Sequence, residues 1–262
     1  MTRRLFVLRL GGQSLRLRVD GDDLLLGSLD VLPLRARSFP GRPDLTLAWT
    51  SGRGTLRRNG RTVHVSRTRE DLVLWTEWLS TMEALRRLRS TTTLIHAGWM
   101  AKGRRGVLVA GPHGAGKTSL GAALALRRGW TLYGDDLTIV SRTGTLRALE
   151  RPLRIKPGSS PGLPELPSGR VTTLISPRRF SRPAAARLSA ILLLGSKPGA
   201  LRLERVDPGI AVATLARFTL NFREAPGSAL KTLATLTAKT PTWTMSGGSI
   251  GERCAALDRL SF

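Results

Sequence analysis

The stretch GVLVAGPHGAGKTSLGAALALRRGWTLYGDD, residues 106–136, decides the fold. Gly106 to Ala110 is a near-continuous apolar run, as expected of a strand buried on both faces of a parallel sheet. Ser119 to Leu126 reads as a helix closed by Gly129, and Thr131 to Tyr133 opens a further strand. The order strand–helix–strand predicts an α/β fold. Between the first strand and the helix, Gly111-Pro-His-Gly-Ala-Gly-Lys117-Thr118 fits the pattern G-x-x-x-x-G-K-[ST] in full. Glycines let successive backbone N–H groups turn inward and ring an anion at the positive end of a helix. Lys117 adds a point charge there, and Thr118 offers a hydroxyl to a divalent cation. The loop predicts a site for a nucleoside triphosphate and Mg²⁺, lined by Gly111, Pro112, His113, Gly114, Ala115, Gly116, Lys117, Thr118 and Ser119. His113 occupies a variable position and reads as a solvent-facing filler.

Asp135 and Asp136 follow only one helix after Lys117. A strand after that helix carries the pair to the carboxyl edge of the sheet, where ligands of open α/β sheets bind. Two adjacent carboxylates can divide the work, one holding a metal and the other accepting a proton from an attacking hydroxyl. His96 ends the short run Leu94-Ile-His-Ala97, before the turn Lys102-Gly103, and is a candidate neighbour of the phosphate strand. On its own it reads as a satisfied core histidine.

Outward from this centre, residues 1–90 read as a small strand-rich unit. Leu5 to Leu10, Leu15 to Val19 and Leu45 to Trp49 are short strand-like runs. Asn59-Gly60 in TLRRNGRTVHV predicts a hairpin, because Asn-Gly tolerates the positive φ of a type I′ turn. His64, with no acid beside it in sequence, reads as an ordinary strand residue. Glu70 and Asp71 at one end and Arg86, Arg87 and Arg89 at the other frame an amphipathic helix. Its stripe Trp75, Trp78, Leu79, Met82 and Leu85 reads as core packing. Residues 91–262 form the second domain. Seven prolines between residues 150 and 183 predict mostly loop. A strand at Leu188–Leu194, helices at Ile210–Leu220 and Ala229–Ala238, a short strand at Thr242–Met245 and a last helix at Glu252–Leu260 follow.

The 262 residues carry a formal net charge of +24, with 42 basic side chains of which only six are lysine. Such a charge reads first as arginine filling solvated faces, the other reading being a summed field that favours an anionic partner. Single-stranded nucleic acid also asks for stacking aromatics, and here there is one tyrosine while the arginine pairs are scattered, which argues against nucleic acid. One cysteine, Cys254, excludes an intramolecular disulfide framework. No uninterrupted apolar run is long enough to span a bilayer, and the early arginines of the N-terminus soon alternate with apolar residues, so the expectation is a cytoplasmic protein without a membrane partner.

The string LIHAGWMAKGRRGVLVAGPHGAGKTSLGAALALRRGWTLYGDDLTIV, residues 94–140, resembles the kinase domain of the HPr kinase/phosphorylase family, above all its shorter related proteins. The order of histidine-bearing strand, glycine turn, phosphate loop, short helix and Asp-Asp strand carries the likeness. It continues through Arg151-Pro-Leu-Arg-Ile-Lys156-Pro and TPTWTMSGGSIGERCAAL, so that residues 90 to 262 are covered. The resemblance implies a phosphate-loop core like that of phosphoenolpyruvate carboxykinase, and ATP- and Mg²⁺-dependent phosphorylation of a serine hydroxyl. It places the phosphate lysine on Lys117, a metal-binding hydroxyl on Thr118, the γ-phosphate histidine on His96 and the proton acceptor on Asp136, with its neighbour Asp135 a candidate for either the metal or the base. Arg151, Arg154 and Lys156 fall where the peptide or phosphates are contacted. The acidic signature stretch of true HPr kinases has no counterpart, Glu150 being the candidate substitute, so the likeness does not extend to the reverse reaction or to HPr as substrate. Members of the shorter group resemble kinases of ribosomally made peptides, including lasso-peptide precursors. True HPr kinases form rings, and homo-oligomerisation stays open here. Two other readings of the same residues are a small-molecule kinase and a nucleotide-dependent polyanion-binding protein.

Overall fold

The computed structural model describes residues 2–155, 173–176, 186–196 and 198–260 of a mixed α/β chain. The chain divides into two compact units, the first comprising residues 1–88 with two short returns at 150–152 and 174–177, the second the remainder. The boundary expected at residue 90 therefore has two later excursions across it.

In the first unit, β1 (Thr2–Leu10), β2 (Gln13–Gly21), α1 (Asp23–Ser28), a 3-10 turn (Leu29–Val31), β3 (Leu34–Ala36), β4 (Leu45–Thr50), β5 (Arg53–Arg58), β6 (Arg61–Ser66) and α2 (Arg69–Leu88) follow in order. The strands form one sheet in the order β3-β1-β2-β4-β5-β6, antiparallel except for the parallel pair β2 and β4. The β5–β6 turn has the two positive φ angles of a type I′ hairpin, 50° at Asn59 and 85° at Gly60. Leucines at positions 8, 10, 15, 17, 45, 47 and 56 are all buried, as alternation on one face of a sheet requires.

Helix α2 departs from its sequence reading. Trp75, Trp78 and Met82 are 38%, 42% and 38% exposed, whereas Thr76, Glu77, Ser80, Thr81 and Glu83 are buried beside Leu72, Val73, Leu79 and Ala84. The two buried carboxylates of this face meet charge partners. Glu77 accepts from Thr81 and stands 3.0 Å from Arg151, and Glu83 meets Arg58 at 2.8 Å and Arg86 at 2.7 Å. Apolar spacing shows which residues share a face, but it does not show arginines that arrive from elsewhere in the chain. His64 also differs from expectation. Its Nε2 lies 2.7 Å from the Asp71 carboxylate, seven residues away, and its ring stacks on Trp75 at 4.4 Å.

The second unit runs β7 (Thr93–Ile95), β8 (Ala97–Lys102), β9 (Arg105–Ala110), α3 (Lys117–Arg127), β10 (Thr131–Gly134), β11 (Thr138–Val140), β12 (Leu146–Ala148), β13 (Leu153–Ile155), β14 (Thr173–Ile175, whose last two residues fall in a return to the first unit), β15 (Arg187–Leu194), β16 (Arg202–Val206), α4 (Pro208–Arg217), α5 (Pro226–Lys239), β17 (Thr242–Ser246) and α6 (Ile250–Arg259). Its main sheet has the order β10-β8-β9-β15-β17-β16. The central strands β9, β15 and β17 are parallel. Strand β8 runs antiparallel to both β9 and β10, because the two-residue turn Gly103-Arg104 can only return the chain as a hairpin. On one face, Leu108, Ala110, Ile191 and Leu193 pack with Leu215 of α4 and Leu233 and Leu236 of α5. Val107 and Val109 alternate to the other face and are equally buried.

Most of the proline-rich stretch 150–183 lies outside the described residues, with β13 and β14 marking its described parts. Among the described residues no helix is long and apolar enough to cross a membrane.

Gly106 is a constraint of packing. A Cβ there would stand 2.0 Å from Trp99 Cη2 and 2.8 Å from the Arg187 carbonyl. Gly106→Ala is expected to destabilise the chain by about 3 kcal/mol, the cost of overpacking a dense core, as read from chemical denaturation.

Candidate active site

The mixed sheet brings five connections to one edge. The carboxyl ends of β9, β10, β15 and β17 and the amino end of β8 lie on the same side, because β9 and β10 both oppose the intervening β8. The glycine-rich loop follows β9, the aspartate pair follows β10, and His96 immediately precedes β8.

In the loop, φ is 80° at Gly114 and 91° at Gly116, the latter serving as N-cap of α3. These are left-handed backbone positions that residues with a Cβ adopt only under strain. Gly111 is required for a different reason, since a Cβ on it would stand 2.7 Å from the Leu194 carbonyl at the end of β15. The Lys117 side chain is 5% exposed, and its ammonium donates to the carbonyls of Gly111 at 2.9 Å and Pro112 at 3.1 Å, folding back over the start of the loop. His113 is exposed.

Thr118 Oγ1 donates to Asp135 Oδ2 at 2.7 Å, and Asp135 is buried. A hydroxyl from the first turn of α3 and a carboxylate from the end of β10 therefore converge. Both are hard oxygen donors of the kind that Mg²⁺ accepts, and Mg²⁺ commonly takes only one or two carboxylates from the protein, the rest coming from phosphates and water. Among the described residues no cluster of three or more His, Cys, Asp or Glu forms a separate metal cage.

Asp136 sits in an unusual backbone conformation. The Leu137 N–H donates to the Asp135 carbonyl at 2.8 Å across a single residue, and Asp136 itself has φ 63°. This three-residue turn is a strained form. It points successive carboxylates differently, leaving Asp135 buried and the Asp136 side chain 37% exposed. Thr138, fully buried, anchors the far side of the turn by donating to the Ala97 carbonyl at 2.9 Å.

His96 faces the second aspartate. Its Nδ1 lies 2.9 Å from the Asp136 carbonyl oxygen and its Nε2 lies 3.9 Å from the Asp136 carboxylate. Burial pushes its pKa below the ordinary value of 6.5, the Lys117 ammonium adds to that, and Asp136 opposes it. The imidazole is accordingly held neutral near pH 7. A segment the sequence reading did not single out fixes its place. Asn221 is buried, donates to the carbonyls of Arg89 and Thr92 at 2.7 Å each, and accepts from the Leu94 N–H at 2.9 Å. The His96 N–H then donates to the Phe218 carbonyl at 2.7 Å. A lone asparagine beyond a helix C-terminus gives no spacing signal, so nothing in the sequence announces this role.

The structure thus gathers Gly111 to Ser119, Asp135, Asp136 and His96 at one edge. Arg151 is instead engaged by Glu77 within the first unit, and its side chain is 13% exposed. Glu150 is exposed and belongs to the same return of the chain. Arg154 lies on β13 and is half-buried, and Lys156 lies outside the described residues. No protein-family model matches the chain, and no curated protein matches it.

Two outcomes follow from this geometry. Because Asp136 occupies left-handed backbone, Asp136→Gly is expected to be more stable than Asp136→Ala by about 1 kcal/mol in denaturant titrations. For His96 the folded pKa is below the unfolded one, so the unfolded chain takes up the proton first as pH falls. Stability is expected to drop as pH is lowered from about 7 to 5, and His96→Asn to flatten that dependence, as read from thermal midpoints across the pH range.

Proposed function

We propose that the chain is an ATP-dependent kinase that transfers a phosphoryl group to a serine hydroxyl of a peptide or protein, ribosomally made precursors of the lasso type being the substrate class of choice. On this reading the second unit is a phosphate-loop kinase core of the HPr-kinase kind. The observation that carries it is the bond from Thr118 in the first turn of α3 to the buried Asp135, with Asp136 and His96 placed at the same edge. A glycine-rich turn of structural purpose alone has no reason to draw a buried carboxylate and a neutral imidazole to its mouth.

The roles follow from position. Backbone N–H groups of Gly114 and of Gly116 to Thr118, with the Lys117 ammonium, receive the β- and γ-phosphates, while the Ala115 N–H is donated to the Pro112 carbonyl. Thr118 and Asp135 hold Mg²⁺, which when bound neutralises charge that develops on the phosphate oxygens. Asp136, on the more open side of the turn, accepts the proton of the serine hydroxyl as its oxygen bonds to the γ-phosphorus. The bond from that phosphorus to the bridging oxygen breaks, and its electrons leave with the β-phosphate as ADP. His96, kept neutral with its Nδ1–H on the Asp136 carbonyl, presents Nε2 as a hydrogen-bond acceptor to the incoming hydroxyl and adds no second full charge beside Lys117. Many arginines give the surface a positive field that suits an acidic, flexible acceptor.

Incubation with ATP, Mg²⁺ and serine-bearing precursor peptides is expected to yield a phosphopeptide detectable by mass spectrometry. Asp136→Asn is expected to slow the transfer by about 10²- to 10⁴-fold, the usual worth of a general base. An Asp136→Asn variant as fast as the natural chain would overturn this mechanism.

A further inference from the structure

The glycine-rich loop is held from outside by a residue that the phosphate-loop motif does not contain. Arg253, in the first turn of α6, donates through Nη1 to the Ala115 carbonyl at 3.1 Å and through Nε to the Gly247 carbonyl at 2.8 Å. Gly247 follows β17 and Ala115 follows β9, and β15 lies between those two strands. The loops after two strands that are not neighbours in the sheet therefore converge on one guanidinium, which ties them together. A Cβ added to Gly116 would stand 3.5 Å from Nη1, so the contact runs alongside the loop's last glycine.

Three features mark this as a built arrangement. A cation in the first turn of a helix opposes the helix dipole, which favours acids there. Arg253 nevertheless has no carboxylate partner among the described residues, and its hydrogen bonds there go to two neutral carbonyls. The turn that presents Gly247 is also shaped for the purpose. Gly247 and Gly248 have φ of 64° and 70°, a Cβ on Gly247 would stand 2.1 Å from the Ala200 carbonyl, and the Gly248 N–H donates to the Gly199 carbonyl at 2.7 Å. The helix start itself is secured separately by a capping box between Ser249 and Glu252. Arg253 is thus not needed to cap α6.

The consequence for the loop is geometric. In a trans peptide the carbonyl and the next N–H point in opposite directions. Holding the Ala115 carbonyl toward α6 turns the Gly116 N–H the other way, toward the mouth of the loop. We propose that Arg253 is a positioning residue for the phosphate site, locking the Ala115–Gly116 peptide so that its N–H is preset to receive a phosphate oxygen. This rests on the reading of the loop as an ATP site and adds to it a residue outside the motif, 136 positions after Lys117.

The test is a binding measurement that needs no acceptor peptide. Titration of the full chain with ATP and Mg²⁺ by calorimetry gives Kd for the natural chain and for Arg253→Met, Arg253→Lys and Ser249→Ala. Arg253→Met is expected to bind about tenfold more weakly, the loss of one charge-assisted hydrogen bond. Arg253→Lys, which keeps a charged donor, is expected to recover most of that loss. Ser249→Ala weakens the cap of α6 and lowers the thermal midpoint, yet is expected to leave Kd within about twofold. If Arg253→Met binds as tightly as the natural chain, or if Ser249→Ala weakens ATP as much as Arg253→Met does, the inference is overturned while the site reading stands. If the natural chain binds no ATP, the site reading falls and this inference falls with it.

Discussion

The hydrogen bond from Thr118 to Asp135 ties the two halves of the candidate site together. It joins the first turn of α3 to the end of β10, beyond the packing of Gly121 against Leu132 farther along the same two elements. The bond needs β10 to end at the edge where the loop after β9 begins. That in turn requires β8 to run antiparallel between them, which the turn at Gly103-Arg104 enforces. One tight hairpin therefore sets the register of the acid against the loop. His96 profits from the same hairpin, because the residue before β8 must emerge at that edge as well.

Much of this was legible in the sequence, and the parts that were not share a physical reason. The apolar run Gly106–Ala110, the loop, the helix and the Asp pair are local patterns, each written in consecutive residues. The structure places them in the expected order, with helix α3 beginning two residues earlier than the apolar pattern showed. The Asn59-Gly60 hairpin was readable for the same reason, since the turn requirement sits in the two residues themselves. What escaped were arrangements made by distant partners. Asn221 reaches back to Arg89, Thr92 and Leu94, and Arg253 reaches the loop from the far end of the chain. Neither leaves a periodic trace. Helix α2 misled for a related reason, because its buried polar face is compensated by Arg58 and Arg151, one in a strand before it and one far beyond it.

Part of the chain's left-handed backbone lies where the chemistry is proposed. Asp136 takes a positive φ as a non-glycine residue, and Gly114, Gly116, Gly247 and Gly248 take positive φ around the same edge. Unfavourable conformations of this kind persist only where surrounding contacts over-determine them. Here those contacts are visible: Thr138 on the Ala97 carbonyl, Arg253 on two loops, and the Gly248 N–H on Gly199. A neutral His96 beside Lys117 is the electrostatic counterpart, since a second cation in that position would repel the first.

The aromatic strip on α2 has a consequence for how the molecule behaves in solution. Trp75, Trp78 and Met82 form a sticky surface on a chain of net charge +24. In dilute buffer, the repulsion of like net charge opposes the meeting of such surfaces. Salt shortens the range of that repulsion to about 3 Å at molar concentration, while contact between indole rings is left intact. High ionic strength therefore weakens a repulsion that opposes the meeting of two such faces.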